Sequence, residues 1–197
     1  MKSIKVGIYL YEWAEVLDFS GPFEVFTTAS RVSKETPFEV YLISEDGQRV
    51  SARAGYKVLA DYSIENHPEL DVLIVVGGDH TQEMHKTPVL EWIAQQASQV
   101  TWLASVCTGA FLLANAGALR DNKVTTHWDD IADLRKLHPQ LEVIEGVRWV
   151  QQGKQLTSAG ISAGIDMSLQ MVSLLHSEAL AEKTARVMDF DWTKNAR

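Results

Sequence analysis

The 197-residue sequence is short of thiols: it has one cysteine, Cys107. A single cysteine excludes an internal disulfide framework and a multi-cysteine zinc site. Positive charge is also scarce, with 18 lysines and arginines against 26 aspartates and glutamates, a net charge of −8 and no basic cluster. That balance disfavours a nucleic-acid surface. No apolar run is long enough to span a bilayer, and Met1-Lys2-Ser3-Ile4-Lys5-Val6 enters a strand-like run without a signal peptide. No linker, repeat or low-complexity tract breaks the chain. His80 and His85 lie in a polar stretch without helical metal-ligand spacing, so they read as surface residues, and no metal is expected. With 46% hydrophobic and 22% charged residues, the expectation is one soluble, cytoplasmic globular domain over residues 1–197.

Four apolar runs read as buried strands: Ile4–Leu10, Phe38–Ser44, Val72–Val76 and Val100–Val106. Helical patterns fall between them. Pro22–Val32 carries Phe23 and Phe26, and Thr87–Ser98 sets Leu90, Ile93, Ala94 and Ala97 on one face. Residues 109–119 suit a buried helix. Ile165, Leu169, Val172 and Leu175 repeat the helical spacing near the carboxyl end. Strands alternating with helices predict an α/β fold: a doubly wound, mostly parallel sheet with helices on both faces. Such sheets place ligands at the carboxyl ends of their strands. Gln48–Ser63, with Gly47 and Gly55 as turn points, reads as a hairpin. So do Val147–Gln151 and Lys154–Ser158 around a Gln152-Gly153 turn.

Cys107 stands where the run 100–106 hands over to the helix. A lone cysteine is most often an inert core residue. On such a junction, free backbone N–H groups and the positive end of a helix favour a thiolate, which makes a nucleophile the alternative. Asp18 follows the first strand; it or Ser20 can cap the next helix, with Pro22 near the first turn. Alternatively the Asp18 carboxyl shares a sheet edge with Cys107. Desolvation and like charge would then raise its pKa and suit it to proton transfer. Gly77-Gly78 is either an ordinary strand-ending turn or half of an oxyanion hole completed by the N–H of Thr108. His127 is either a packed side chain or an acid–base group. Ser158–Gly164 offers close backbone packing or a pocket wall, with Gly160 and Ile161 as oxyanion or substrate-binding candidates. Trp13, Trp128 and Trp149 belong to the core or to an aromatic wall.

Taken together, these segments resemble the ThiJ/PfpI superfamily, of the class I glutamine-amidotransferase-like, flavodoxin-like fold. The residues carrying the resemblance are Leu17-Asp18-Phe19-Ser20-Gly21-Pro22, Val76-Gly77-Gly78, Ser105-Val106-Cys107-Thr108-Gly109, Thr125-Thr126-His127-Trp128 and Thr157–Asp166, in the family's order. Within the superfamily the chain resembles the isonitrile hydratase branch. That resemblance implies a cysteine nucleophile at Cys107, a carboxyl partner at Asp18, and a hydroxyl and N–H at Thr108. It also implies a small-molecule substrate, no cofactor, no nucleic-acid or membrane partner, and a homodimer. Two departures narrow it. Thr108 stands where peptidase members carry histidine, and Asp18 where deglycase and glyoxalase members usually carry glutamate. AraC-type regulators add a helix-turn-helix region to this domain. The sequence ends at Arg197, so DNA binding is not expected.

The chemistry so implied is conversion of an isonitrile to an N-substituted formamide, with Cys107 a thiolate at neutral pH. Two other readings stand beside it: attack on an amide, nitrile or dicarbonyl carbon, and a sensor of small molecules or oxidants.

Overall fold

The computed structural model describes residues 3–35 and 37–194. The chain opens with β1 (Ile4–Tyr9), α1 (Val16–Val32) and β2 (Phe38–Ser44). Two short strands, β3 (Arg49–Ser51) and β4 (Lys57–Leu59), form an antiparallel ribbon. Then come β5 (Tyr62–Ser63), β6 (Val72–Val75), α2 (Thr87–Gln99), β7 (Trp102–Ser105) and α3 (Gly109–Asn115). A small parallel pair follows, β8 (Lys123–Val124) and β9 (Glu142–Val143), with α4 (Ile131–Leu137) between them. The chain closes with the hairpin β10 (Trp149–Gln152) and β11 (Gln155–Ser158), then α5 (Ala163–Leu175) and α6 (Glu178–Val187).

Seven strands build one sheet in the order β10-β11-β7-β6-β1-β2-β5, parallel except for the antiparallel edge strand β10. β1 lies between β2 and β6, with Ile8 opposite Leu42 on one side and Ile74 on the other. The central strands are apolar because both faces are covered. All four residues of β6 are buried, as are Val6, Ile8 and Tyr9 of β1. α1, α5 and α6 pack against one another, while α2 pairs with α3. The doubly wound, mostly parallel sheet expected from the alternation is therefore present. No helix among the described residues is long and apolar enough to cross a membrane.

Local details depart from the sequence reading. α1 begins at Val16, six residues before Pro22, which lies inside the helix. Asp18 and Ser20 are thus not caps: Glu15 is the N-cap, and the Ser20 hydroxyl donates to Val16 O at 2.7 Å. Pro22 is tolerated at the cost of one helical bond, since it has no N–H to give the Asp18 carbonyl. On α2 the buried stripe is Val89, Trp92, Ile93 and Gln96, so Leu90 and Ala94 lie off it. Sequence spacing fixed the period but not the phase. α3 stops at Asn115 rather than at 119 because Gly117 turns left-handed at φ +70°. The expected hairpin at 48–63 is only half a hairpin: β5 leaves the ribbon and pairs parallel with β2. In the last hairpin the turn is Gly153-Lys154, one residue later than expected, with Gly153 at φ +59°.

Candidate active site

The chain runs from β1 outward to β2, then crosses back to β6 on the other side of β1. The strand order reverses there, and the segments leaving β1, β6 and β7 converge beyond their carboxyl ends. Each supplies one part. α1, after β1, carries Asp18 in its first turn, with the side chain fully buried. The turn after β6 is Gly77-Gly78, and Gly77 N donates to Asp18 Oδ2 at 3.0 Å. The turn after β7 is Cys107-Thr108. Gly78 N donates to Thr108 Oγ1 at 3.0 Å, and that hydroxyl donates to Gly78 O at 3.1 Å.

Cys107 sits in a left-handed conformation at φ +55°. A non-glycine residue there costs on the order of 1–3 kcal/mol and persists only when its surroundings fix it. Here they do: Cys107 N donates to Ala159 O at 3.3 Å, and Thr126 Oγ1 donates to Cys107 O at 2.9 Å. Gly109 allows the turn to close, because a Cβ there would stand 2.1 Å from Val75 O. Gly77 has no room either: a Cβ would lie 2.5 Å from Thr108 N. The second strained residue, Ile161 at φ +52°, faces the first across the site. The backbone N–H groups of Thr108 and Ile161 both lie near the Cys107 sulfur and favour negative charge on it.

This geometry corrects the expected oxyanion hole. Gly78's N–H is taken by the Thr108 hydroxyl and Gly77's by Asp18. The N–H that joins Thr108's beside the sulfur belongs to Ile161, which stands at φ +52°. Sequence reading offered Ile161 as an oxyanion or substrate-binding candidate without singling out its N–H.

Burial works against the expected thiolate. Burial pushes the Cys107 thiol well up, and the Asp18 charge pushes it further; the two N–H groups only partly offset this. Cys107 is 6% exposed, and this burial favours the thiol over the thiolate. Burial also raises the Asp18 carboxyl to about 7, against the Gly77 N–H and the Cys107 thiol, which lower it. The thiol stands beside the carboxyl without a well-angled hydrogen bond, and Asp18 Oδ1 has no hydrogen-bond partner. The carboxyl, not the sulfur, is the group that titrates near neutrality. Tyr11, buried at the end of β1, adds a phenol beside Asp18, Cys107 and Thr108. Its hydroxyl has no well-formed bond, although Thr108 is adjacent. Nothing in the local sequence marked it.

Above the sulfur lies a cavity of about 370 Å³. Cys107, Thr108, Gly78 and Ile161 make its base; Glu15, Arg53, His80, His127 and Asp130 stand around it. Cys107 is therefore buried but not sealed. Arg53, from the β3–β4 ribbon, reaches Glu15 at 3.7 Å. His127 Nδ1 lies 3.2 Å from Asp130 Oδ2, and Gly160 packs so tightly on the imidazole that a Cβ would meet His127 Cδ2 at 2.1 Å. His80, expected on the open surface, belongs to this rim and lies against Phe111, with ring centroids 4.4 Å apart. Trp149 is buried, donating to Thr193 O at 3.2 Å, while Trp13 and Trp128 are exposed; the expected aromatic wall is not formed. Among the described residues, no group of three His, Cys, Asp or Glu side chains is placed to hold a metal ion.

The chain belongs to the DJ-1/PfpI family, whose model matches residues 4–174. It is 32% identical over 175 residues to an isonitrile hydratase of Pseudomonas putida, covering 88% of this chain and 72% of that protein. It is 25% identical over 190 residues to the HTH-type transcriptional regulator GbdR of Pseudomonas aeruginosa. That match takes in 96% of this chain but only 52% of the regulator. A crystal structure of a ThiJ/PfpI family protein from Pseudomonas syringae superposes with a TM-score of 0.86 at 25% identity, covering 98% of this chain and 77% of that one. The family thus includes enzymes and regulators on one scaffold.

Proposed function

We propose that this protein hydrates a small isonitrile to the N-substituted formamide, with Cys107 as nucleophile and Asp18 as proton carrier. One observation carries the reading: a buried thiol and a buried carboxyl raised to about 7 stand side by side beneath a small cavity. Half-ionised near neutrality, Asp18 takes the thiol proton as sulfur attacks the terminal carbon, so no free thiolate need be stable at rest. Asp18 then returns that proton to the same carbon, leaving a covalent thioimidate. Water adds to the carbon, its proton passing through Asp18 to the nitrogen. The C–S bond breaks as the hydroxyl proton returns to sulfur, releasing formamide and thiol. The N–H groups of Thr108 and Ile161 stabilise negative charge on sulfur as it enters and leaves. A cavity of about 370 Å³ suits a small substrate. The similarity to isonitrile hydratase supports the choice of substrate class.

The test is steady-state turnover of a panel of isonitriles, methylglyoxal and peptides. Isonitrile turnover is expected, with kcat/KM rising as pH climbs through about 7 and Asp18 ionises. Turnover of a dicarbonyl instead would move the chemistry to another branch.

A second reading is a ligand-sensing module without turnover, favoured by the alignment of 96% of this chain with 52% of a regulator. Its mark would be saturable binding that survives Cys107→Ala. The buried, protonated sulfur weighs against an oxidant sensor, because oxidation follows thiolate character and exposure.

A further inference from the structure

Among the described residues, three buried side-chain polar atoms have no hydrogen-bond partner: Tyr11 Oη, Asp18 Oδ1 and Ser105 Oγ. Leaving such an atom unpaired costs about 1–3 kcal/mol, so native proteins do so sparingly and usually for a reason. Two of the three belong to one site. Tyr11 is 3% exposed and Asp18 is fully buried, and both border Cys107 and its neighbours. The surrounding groups are already committed. Thr108 Oγ1 is engaged with both N and O of Gly78, and Gly77 N is spent on the other Asp18 oxygen. The phenol, beside Thr108, and Oδ1, beside the Cys107 thiol, each lack a well-angled partner, which leaves a donor and an acceptor open.

Tyr11 has been brought there by construction. It lies two residues beyond Tyr9 along the same strand direction, and the rings stack at 6.2 Å. Tyr9 is anchored by its hydroxyl to the buried Glu83, which Lys86 neutralises at 3.0 Å. That fixed Tyr9 ring holds Tyr11 in place while leaving its hydroxyl uncommitted. Phenylalanine would fill the same space without burying an unpaired hydroxyl.

We propose that Tyr11 Oη and Asp18 Oδ1 together seat the water that attacks the Cys107-bound carbon. The phenol donates to the water oxygen and fixes its position. The carboxylate accepts one water proton as the C–O bond forms and delivers it to the substrate nitrogen. The C–S bond then breaks and the proton left on the new hydroxyl returns to sulfur. The inference rests on the hydratase reading for the step, but not for the seat itself.

Two measurements test it. A high-resolution crystal structure of the wild type should show one ordered water within hydrogen-bond reach of both atoms, lost or displaced in Tyr11→Phe. A wild-type structure without a shared water there overturns the proposal, whether or not the variant folds. Single-turnover mass spectrometry with an isonitrile should show Tyr11→Phe forming the Cys107 adduct within about twofold of the wild-type rate while releasing it roughly 10- to 100-fold more slowly. Equal release rates, or a loss confined to adduct formation, would also overturn it. Wild type that forms no adduct with any isonitrile defeats the hydratase reading instead, and the crystallographic arm alone then decides the water seat.

Discussion

At the amino end of the sheet a groove of about 960 Å³ runs between α2 and the segments entering β1, β6 and β7, bordered by His67, Asp71, Trp92 and Thr101. At the carboxyl end, the cavity over Cys107 is well under half that size, about 370 Å³. The larger opening is chemically quiet. Asp71 Oδ2 accepts from Lys5 N at 2.8 Å. Trp92 Nε1 donates to His67 Nε2 at 2.9 Å, while His67 Nδ1 donates to Pro68 O at 2.8 Å. None of its lining residues is in a left-handed conformation. The smaller opening holds two strained residues, and beneath it lie a carboxyl displaced to about 7 and two unpaired buried polar atoms. Volume is a poor guide to chemistry here; strain and unmet hydrogen bonding separate the two ends, because both cost stability unless something repays them.

The largest way to sharpen this contrast is Cys107→Ala, which removes the nucleophile and should drop turnover to background while the chain stays folded. Retained turnover would return Cys107 to the status of a packed core residue. Asp18→Asn should lower turnover by roughly 10²–10⁴ and act on stability in the unusual direction. Burial lifts the Asp18 carboxyl from 3.8 to about 7, so the folded chain holds a proton that the unfolded chain has released across that window. The stabilisation is full below the unfolded value and lost as pH rises through about 7. Relative to wild type, Asp18→Asn should therefore gain on the order of 4 kcal/mol at about pH 8 and much less at about pH 4, read from denaturant midpoints. A variant less stable at the higher pH would mean that the carboxyl is ionised and paired in the fold.

Gly109→Ala places a methyl group 2.1 Å from Val75 O, and should cost at least roughly 3 kcal/mol, lowering Tm clearly. An unchanged Tm would show that the turn at Cys107 is looser than it looks. Trp92→Phe, in the amino-end groove, should cost about 1 kcal/mol through the lost bond to His67 and leave kcat/KM unchanged. A fall in kcat/KM there would break the comparison outright. The smallest effect is Cys107→Gly, which should exceed Cys107→Ala in stability by somewhat less than about 1 kcal/mol, since glycine accepts φ +55° but loosens the unfolded chain.

Much of the scaffold was legible because periodicity survives translation into structure. The runs at 4–10, 38–44, 72–76 and 100–106 all became strands of one sheet, the second at full length and the others trimmed. Legibility failed where a neighbour remote in sequence decided. α1 starts at Val16 because Glu15 N donates to Gly77 O at 2.9 Å and Ala14 bridges to Gly78. The stripe on α2 follows Trp92, drawn toward Tyr9 and His67, which local spacing cannot reveal. The proposed site was legible as a set of residues on turns. Its electrostatics were legible at Asp18, where desolvation was expected to raise the carboxyl, but not at Cys107, where a helix end argued for a thiolate while burial argued more strongly for a thiol.

The order of strands and helices, the turn that carries Cys107 and the small residues around it are written in the sequence, because they rest on short-range pattern and backbone sterics. How far burial lifts Asp18, that the Ile161 N–H rather than Gly78's lies by the sulfur, and that Tyr11 belongs beside them were decided by the tertiary structure alone. Desolvation and hydrogen-bond satisfaction depend on every atom packed around a group, and those atoms come from segments scattered along the whole chain.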